Sequence, residues 1–143
     1  GGTVNCTHAA LRTMVKTGVG RIINVSTFAD VAPLSASAAY ATSKGAARIF
    51  GRALHADISD RFPRIIMNDW MPGMLATDMG IPDGLSPEVA AKWGVALALW
   101  NDPALNGATF EMDHEILPSR SFKRKIKDRL LLRKPPVARQ IIL

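Results

Sequence analysis

Residues 21–73 read RIINVSTFADVAPLSASAAYATSKGAARIFGRALHADISDRFPRIIMNDWMPG, and this stretch decides the fold. Arg21-Ile22-Ile23-Asn24-Val25-Ser26 is a β-branched apolar run of strand length. It gives way to a loop of small residues through Ser35 and Ser37. A helix is expected from near Ala38 to about Asp60, with Ala46, Ile49, Phe50, Ala53, Leu54 and Ile58 as its apolar face at i, i+3, i+4 spacing. Pro63 breaks the chain. Arg64-Ile65-Ile66-Met67-Asn68 then reads as a second strand, and Pro72-Gly73 forces a turn at its end.

The flanks repeat the alternation. Upstream, Val4, Leu11, Met14 and Val15 recur at near-helical spacing until Gly18 and Gly20 stop the helix. Downstream, Ser86 suits an N-cap, Pro87 the first helical position and Glu88 the helix dipole. That helix runs through Trp93, Leu97 and Trp100 to Asp102-Pro103. Asn106-Gly107 is a turn, 108–113 a third strand, and Asp113-His114-Glu115 a turn at its end. Continuous apolar strands separated by helices imply an α/β fold. The expectation is a partial Rossmann-like, doubly wound parallel sheet of about three strands and three main helices, followed by a basic helical tail. So few strands, opening on a helix, read as the second half of a larger sheet, with residues 1–117 as its domain and 118–143 as the tail.

At 143 residues and 48% hydrophobic, the chain has the composition of one ordinary globular domain. No run of eighteen residues lacks a charge, so no membrane-spanning helix is expected. The single cysteine, Cys6, can close no internal disulfide, and Trp70, Trp93 and Trp100 read as core or subunit contacts. His8, His55 and His114 are scattered, so no metal site is expected. Asn5-Cys6-Thr7 and Asn24-Val25-Ser26 match the glycosylation sequon only by chance. The chain opens on Gly1 with no basic-then-apolar leader, which suggests a cytoplasmic protein and a piece of a longer one.

The net charge of +6 is a property of the tail, where nine Lys/Arg face one acid, Asp128, between Pro118 and Leu143. A nucleic-acid surface is therefore not expected. Phe122, Ile126 and Leu130 stand four apart among the basic residues, a short amphipathic helix that Pro135-Pro136 ends. The preferred reading is a solvated charge run, or one whose leucines meet a neighbouring subunit. An anionic membrane or an acidic partner is the alternative.

Chemistry is concentrated in Tyr40 and Lys44, which project from one helix face a turn apart. A free phenol titrates near pH ~10, too high for acid/base work near neutrality, and an adjacent ammonium favours its phenolate. Ser26-Thr27 and Pro72-Gly73-Met74-Leu75-Ala76-Thr77 stand where the two strands end, the place where open α/β sheets bind ligands. Hydroxyl, phenol and ammonium would converge there, as carbonyl reduction or alcohol oxidation requires.

In this order and spacing, the strand from Arg21 to Thr27, Tyr40-Ala-Thr-Ser-Lys44, Asn68 four residues before Pro72-Gly73, Thr77, and Asn106-Gly107 resemble the short-chain dehydrogenases/reductases, from about Gly2 to Asp113. The resemblance implies an oxidoreductase moving a hydride between NAD or NADP, not distinguished, and a small alcohol or carbonyl substrate. Tyr40 would be the acid/base, and Lys44 would tune it and bind the nicotinamide ribose. Thr27, thirteen residues before Tyr40, stands where the family has a substrate-orienting serine, with Ser26 as the fallback. Pro72, Gly73, Leu75 and Thr77 match the segment against the nicotinamide end, and a homo-oligomeric parent is implied. Met79, Ile81 and Leu85 are the expected apolar lining of the substrate pocket. The family's glycine-rich phosphate turn and Asn-Ala-Gly segment do not occur, and His114-Glu115 replace its Gly-Gly. The chain alone is accordingly expected to fold poorly or lack activity. The alternatives are a non-catalytic binding or scaffold protein of the same fold, and an adaptor working through its tail.

Overall fold

The computed structural model describes residues 1–119 and 121–143. Helix α1, Gly2–Thr17, closes on Gly18, whose φ of 71° gives the left-handed C-cap and whose N–H reaches the Met14 carbonyl. Strand β1, Gly20–Val25, follows, then helix α2, Ala38–Ile58, strand β2, Ile65–Met71, and helix α3, Pro87–Leu99. A 3₁₀ turn, Pro103–Leu105, leads into β3, Thr109–Glu111, and β4, His114–Ile116, and helix α4 spans Phe122–Leu130.

The sheet order is β1-β2-β3-β4, with β1, β2 and β3 parallel and β4 antiparallel to β3. The three expected parallel strands are present in an α/β sheet wound on both faces. The fourth strand corrects the expectation of a simple turn at Asp113-His114-Glu115. The reversal comes at Met112-Asp113, and His114 to Ile116 pair back on Glu111 to Thr109.

Strand alternation sorts the core into two layers. Ile65 and Met67 face Leu11, Met14, Leu54, Ile58 and Phe62, which places α1 and α2 on one side. Ile66, Trp70 and Phe110 face Ala90, Leu97 and Leu105, which places α3 on the other, with Trp93 and Trp100 partly buried against them. The end of the segment 118–143 rejoins this layer: Ile141 lies in the core, and Gln140 bridges to His114.

α2 does not present its expected face throughout. Leu54 and Ile58 pack inward, but Ala46, Ile49 and Ala53 are exposed. Gly51 explains the rotation. A Cβ there would lie 2.6 Å from the Asn24 amide nitrogen, so the helix passes too close to the sheet for a larger residue. The positions in register with Gly51 toward the helix start are Lys44 and Arg48, long side chains that reach along the sheet to its end.

Candidate active site

Beyond Val25 the chain stays beside β2 for one more residue, the Ser26 N–H reaching the Trp70 carbonyl at 2.8 Å. It then leaves the sheet through Thr27. The Thr27 hydroxyl accepts the Ala29 N–H at 3.3 Å, a side-chain turn that starts the loop and leaves its hydrogen to donate. Ser26 is buried, and its hydroxyl accepts from Arg48 Nε at 3.2 Å.

Tyr40 lies in the first turn of α2 and is 43% exposed. One turn on, Lys44 Nζ donates to the Val25 carbonyl at 2.9 Å and stands 5.9 Å from the centre of the Tyr40 ring. The ammonium is thus moored between the end of β1 and the phenol, with further N–H donors for a bound molecule. Arg48, another turn along, pairs with Asp30 at 2.9 Å and donates to the Thr27 carbonyl. Its guanidinium also lies 3.5 Å from Met71 Sδ. Tyr40, Lys44 and Arg48 form one row along α2 facing the end of β1. Sequence reasoning missed Arg48. The signal was available: it continues the i, i+4 row from Tyr40, and Asp30 is the one acid in the loop it faces.

β2 ends on Pro72-Gly73. Gly73 has φ 92°, and a Cβ there would stand 3.3 Å from Met112 Cγ. Met112, at φ 52° in the β3–β4 turn, is tied to the same strand end: its N–H reaches the Met71 carbonyl at 2.7 Å, and its carbonyl accepts Trp70 Nε1–H at 2.9 Å. Met112 therefore borders the crevice beside Gly73, a neighbour visible only once the hairpin is known. Leu75 pairs with Leu85, packs on the core, and accepts the N–H groups of Thr77 and Ile81 at 3.0 and 3.1 Å. Of the expected substrate lining, Met79 is 86% exposed, Ile81 is exposed, and Leu85 packs on the core.

The ends of three adjacent parallel strands thus bring together Thr27, Pro72, Gly73 and Met112, with Tyr40 and Lys44 at the start of α2. A groove of about 750 Å³ runs between α1, β1 and α2; it shares Lys44 with this cluster but reaches neither Tyr40 nor Thr27. The chemistry points to the strand ends and not to that volume. Under α2, burial pushes the Asp69 carboxyl above the usual carboxylate range, opposed by a hydrogen bond from Asn24 and the charge of Arg48. Burial also pushes Arg21 down to about 10; its guanidinium donates to the Leu97 carbonyl in the last turn of α3. Among the described residues no group of three His, Cys, Asp or Glu is placed to hold a metal ion.

The short chain dehydrogenase family profile matches residues 1–85. The chain belongs to this family. The family match ends before α3, so it covers α1 to β2 and the whole row from Tyr40 to Arg48. A 2,5-dichloro-2,5-cyclohexadiene-1,4-diol dehydrogenase of Sphingobium indicum is 32% identical over 71% of the chain and 41% of its own length. Dehydrogenase/reductase SDR family member 7 of mouse is 35% identical over 54% of the chain and 23% of its own. Serine dehydrogenase from Escherichia coli superposes with a TM-score of 0.65 at 26% identity, covering 78% of this chain and 47% of the other. The chain thus spans less than half the length of each of these relatives.

Proposed function

We propose that the protein carrying this chain transfers a hydride between NAD or NADP and a carbon bearing a hydroxyl or carbonyl group, with Tyr40 as acid/base. The observation that carries the reading is the Lys44 ammonium, bonded to Val25 O at 2.9 Å and set beside the Tyr40 ring. Thr27 donates its hydroxyl hydrogen to the substrate oxygen. Tyr40 gives that oxygen a proton on reduction and removes it on oxidation. The Lys44 ammonium stands beside the ring that carries this exchange. Serving as fallback for Thr27 would cost Ser26 its bond from Arg48.

The residues fit the nicotinamide end of such a cofactor, which when bound supplies or accepts the hydride. Lys44 retains N–H donors, the phenol is exposed, and Gly73 carries no side chain over the crevice. Tyr40, Lys44, Pro72, Gly73, Leu75 and Thr77 would hold that end. No glycine-rich turn for the diphosphate occurs in the sequence, and the proposal includes no turnover by the 143-residue chain alone. It includes a small alcohol or carbonyl substrate and a cytoplasmic homo-oligomer, whose contact is supported by the exposed Ile49 side of α2. No helix of the described residues is long and apolar enough to cross a membrane.

A non-catalytic binding role on the same fold is favoured by one observation, a threonine at position 27 in place of the serine the resemblance leads one to expect. Tyr40→Phe in the complete gene product separates the two. Nicotinamide-dependent turnover of an alcohol and ketone panel is expected to fall about a hundredfold or more. Unchanged turnover would overturn the acid/base assignment, and none in the parent would favour the binding role.

A further inference from the structure

The tail ends in an unusual cap. After Leu130 the Leu132 N–H bonds the Arg129 carbonyl and the Arg133 N–H bonds the Asp128 carbonyl, the paired closure that normally has glycine at the left-handed position. Here Leu132 occupies it at φ 49°. A leucine there is strained, and its side chain is 91% exposed, so it gains no packing within this chain. Leu132 has company. Phe122, Ile126, Leu130 and Leu131 are exposed as well, the first three on one stripe of α4.

The sequence of this segment is strongly basic. Lys123, Arg124, Lys125, Lys127 and Arg129 lie within α4, and Arg133 and Lys134 follow it. Asp128, the single acid, is buried. The segment is also tethered past its end. Arg139 holds Glu115 by two bonds of 2.7 Å, and Ile141 is buried in the core. From these observations we propose that α4 and the turn closing it dock this chain on an anionic lipid surface. The helix lies flat, its apolar stripe and Leu132 enter the headgroup boundary, and the lysines and arginines meet the lipid phosphates and carboxylates. Charge complementarity selects this occupant over a second copy of the chain, whose identical basic tail would repel it.

The test is flotation of the complete gene product with vesicles of phosphatidylcholine, and with vesicles in which phosphatidylserine replaces part of it. Binding is expected to be about tenfold or more stronger with phosphatidylserine and to be lost in high salt. Ile126→Ser with Leu130→Ser should cost about tenfold, as should Leu132→Gly, which relaxes the backbone while removing the side chain. These side chains are exposed, so far-UV circular dichroism should be unchanged in every variant. Equal partitioning on both vesicles overturns the proposal. So does binding that survives the serine substitutions, which would be charge attraction alone. Concentration-dependent dimerisation abolished by the same substitutions would assign the stripe to a second copy, and binding to polyglutamate in place of vesicles would assign it to an acidic protein.

Discussion

Arg48 on α2 holds Asp30 of the β1–α2 loop at 2.9 Å, with each side chain only about a tenth exposed. The same guanidinium bonds the Ser26 hydroxyl and the Thr27 carbonyl. Removing it leaves a buried carboxylate unpaired, which typically costs several kcal/mol. Arg48→Met is expected to lower stability by about 3 kcal/mol. Arg48→Met with Asp30→Leu should recover part of that loss. Urea unfolding with an unchanged slope checks both, and a midpoint indistinguishable from the parent would show that the pair is not structural.

Lys44 should matter by its charge as much as by its bond to Val25. Lys44→Gln can still donate to that carbonyl but brings no ammonium to Tyr40. In the complete gene product it should lose about tenfold or more in kcat. An unchanged kcat with only a raised KM would limit Lys44 to binding.

Two buried carboxyls give opposite pH signatures. The Arg139 guanidinium bonded to Glu115 holds that carboxyl below the usual glutamate range. A depressed folded-state value means stability that is full above the unfolded value and lost as pH falls through the folded one. Glu115→Gln should therefore cost stability at neutral pH and flatten the acid limb of the stability curve. Asp69 runs the other way, since burial raises it. Its ionisation penalises the fold above its folded value, and the penalty is relieved as pH falls through that value. Asp69→Asn should stabilise at neutral pH by an amount that shrinks toward acid. Chemical denaturation across pH 3–8 reads both, and parallel curves for variants and parent would contradict the assignments.

Gly107 combines two constraints. Its φ is 79°, and a Cβ would stand 2.9 Å from His55 Nε2. Gly107→Ala is expected to cost about 2 kcal/mol, the left-handed penalty plus displacement of the His55 ring. Gly107→Ala combined with His55→Ala should lose less than the two changes separately, as residues in contact do. Strict additivity in thermal unfolding would refute the contact.

Leu132→Gly should raise the melting temperature by a few degrees, corresponding to about 1 kcal/mol of relieved backbone strain. A lowered melting temperature would mean that the leucine packs within the chain after all.

Much of the architecture was legible because it is written in local periodicity. The β-branched runs at Ile22-Ile23 and Ile65-Ile66 lie within β1 and β2, and the Gly18 stop and the Ser86-Pro87 start fall where helices end and begin. The short hairpin was not, since three residues from His114 to Ile116 are too few to show a period. Nor was the face of α2. Apolar spacing chose Ala46 and Ile49, but the close approach at Gly51 turned Arg48 inward instead.

The sequence by itself determined the alternation of helices and strands, the placement of Tyr40 and Lys44 one helical turn apart, and the concentration of positive charge in the tail. These follow from residue identity and from backbone periods only a few residues long. Tertiary structure decided which partner each long polar side chain took: Lys44 the end of β1, Arg48 the loop at Asp30, and Arg139 the edge strand at Glu115. It also decided that Leu132 faces outward under strain. Such pairings join residues far apart along the chain, and only the assembled sheet sets the distance between them.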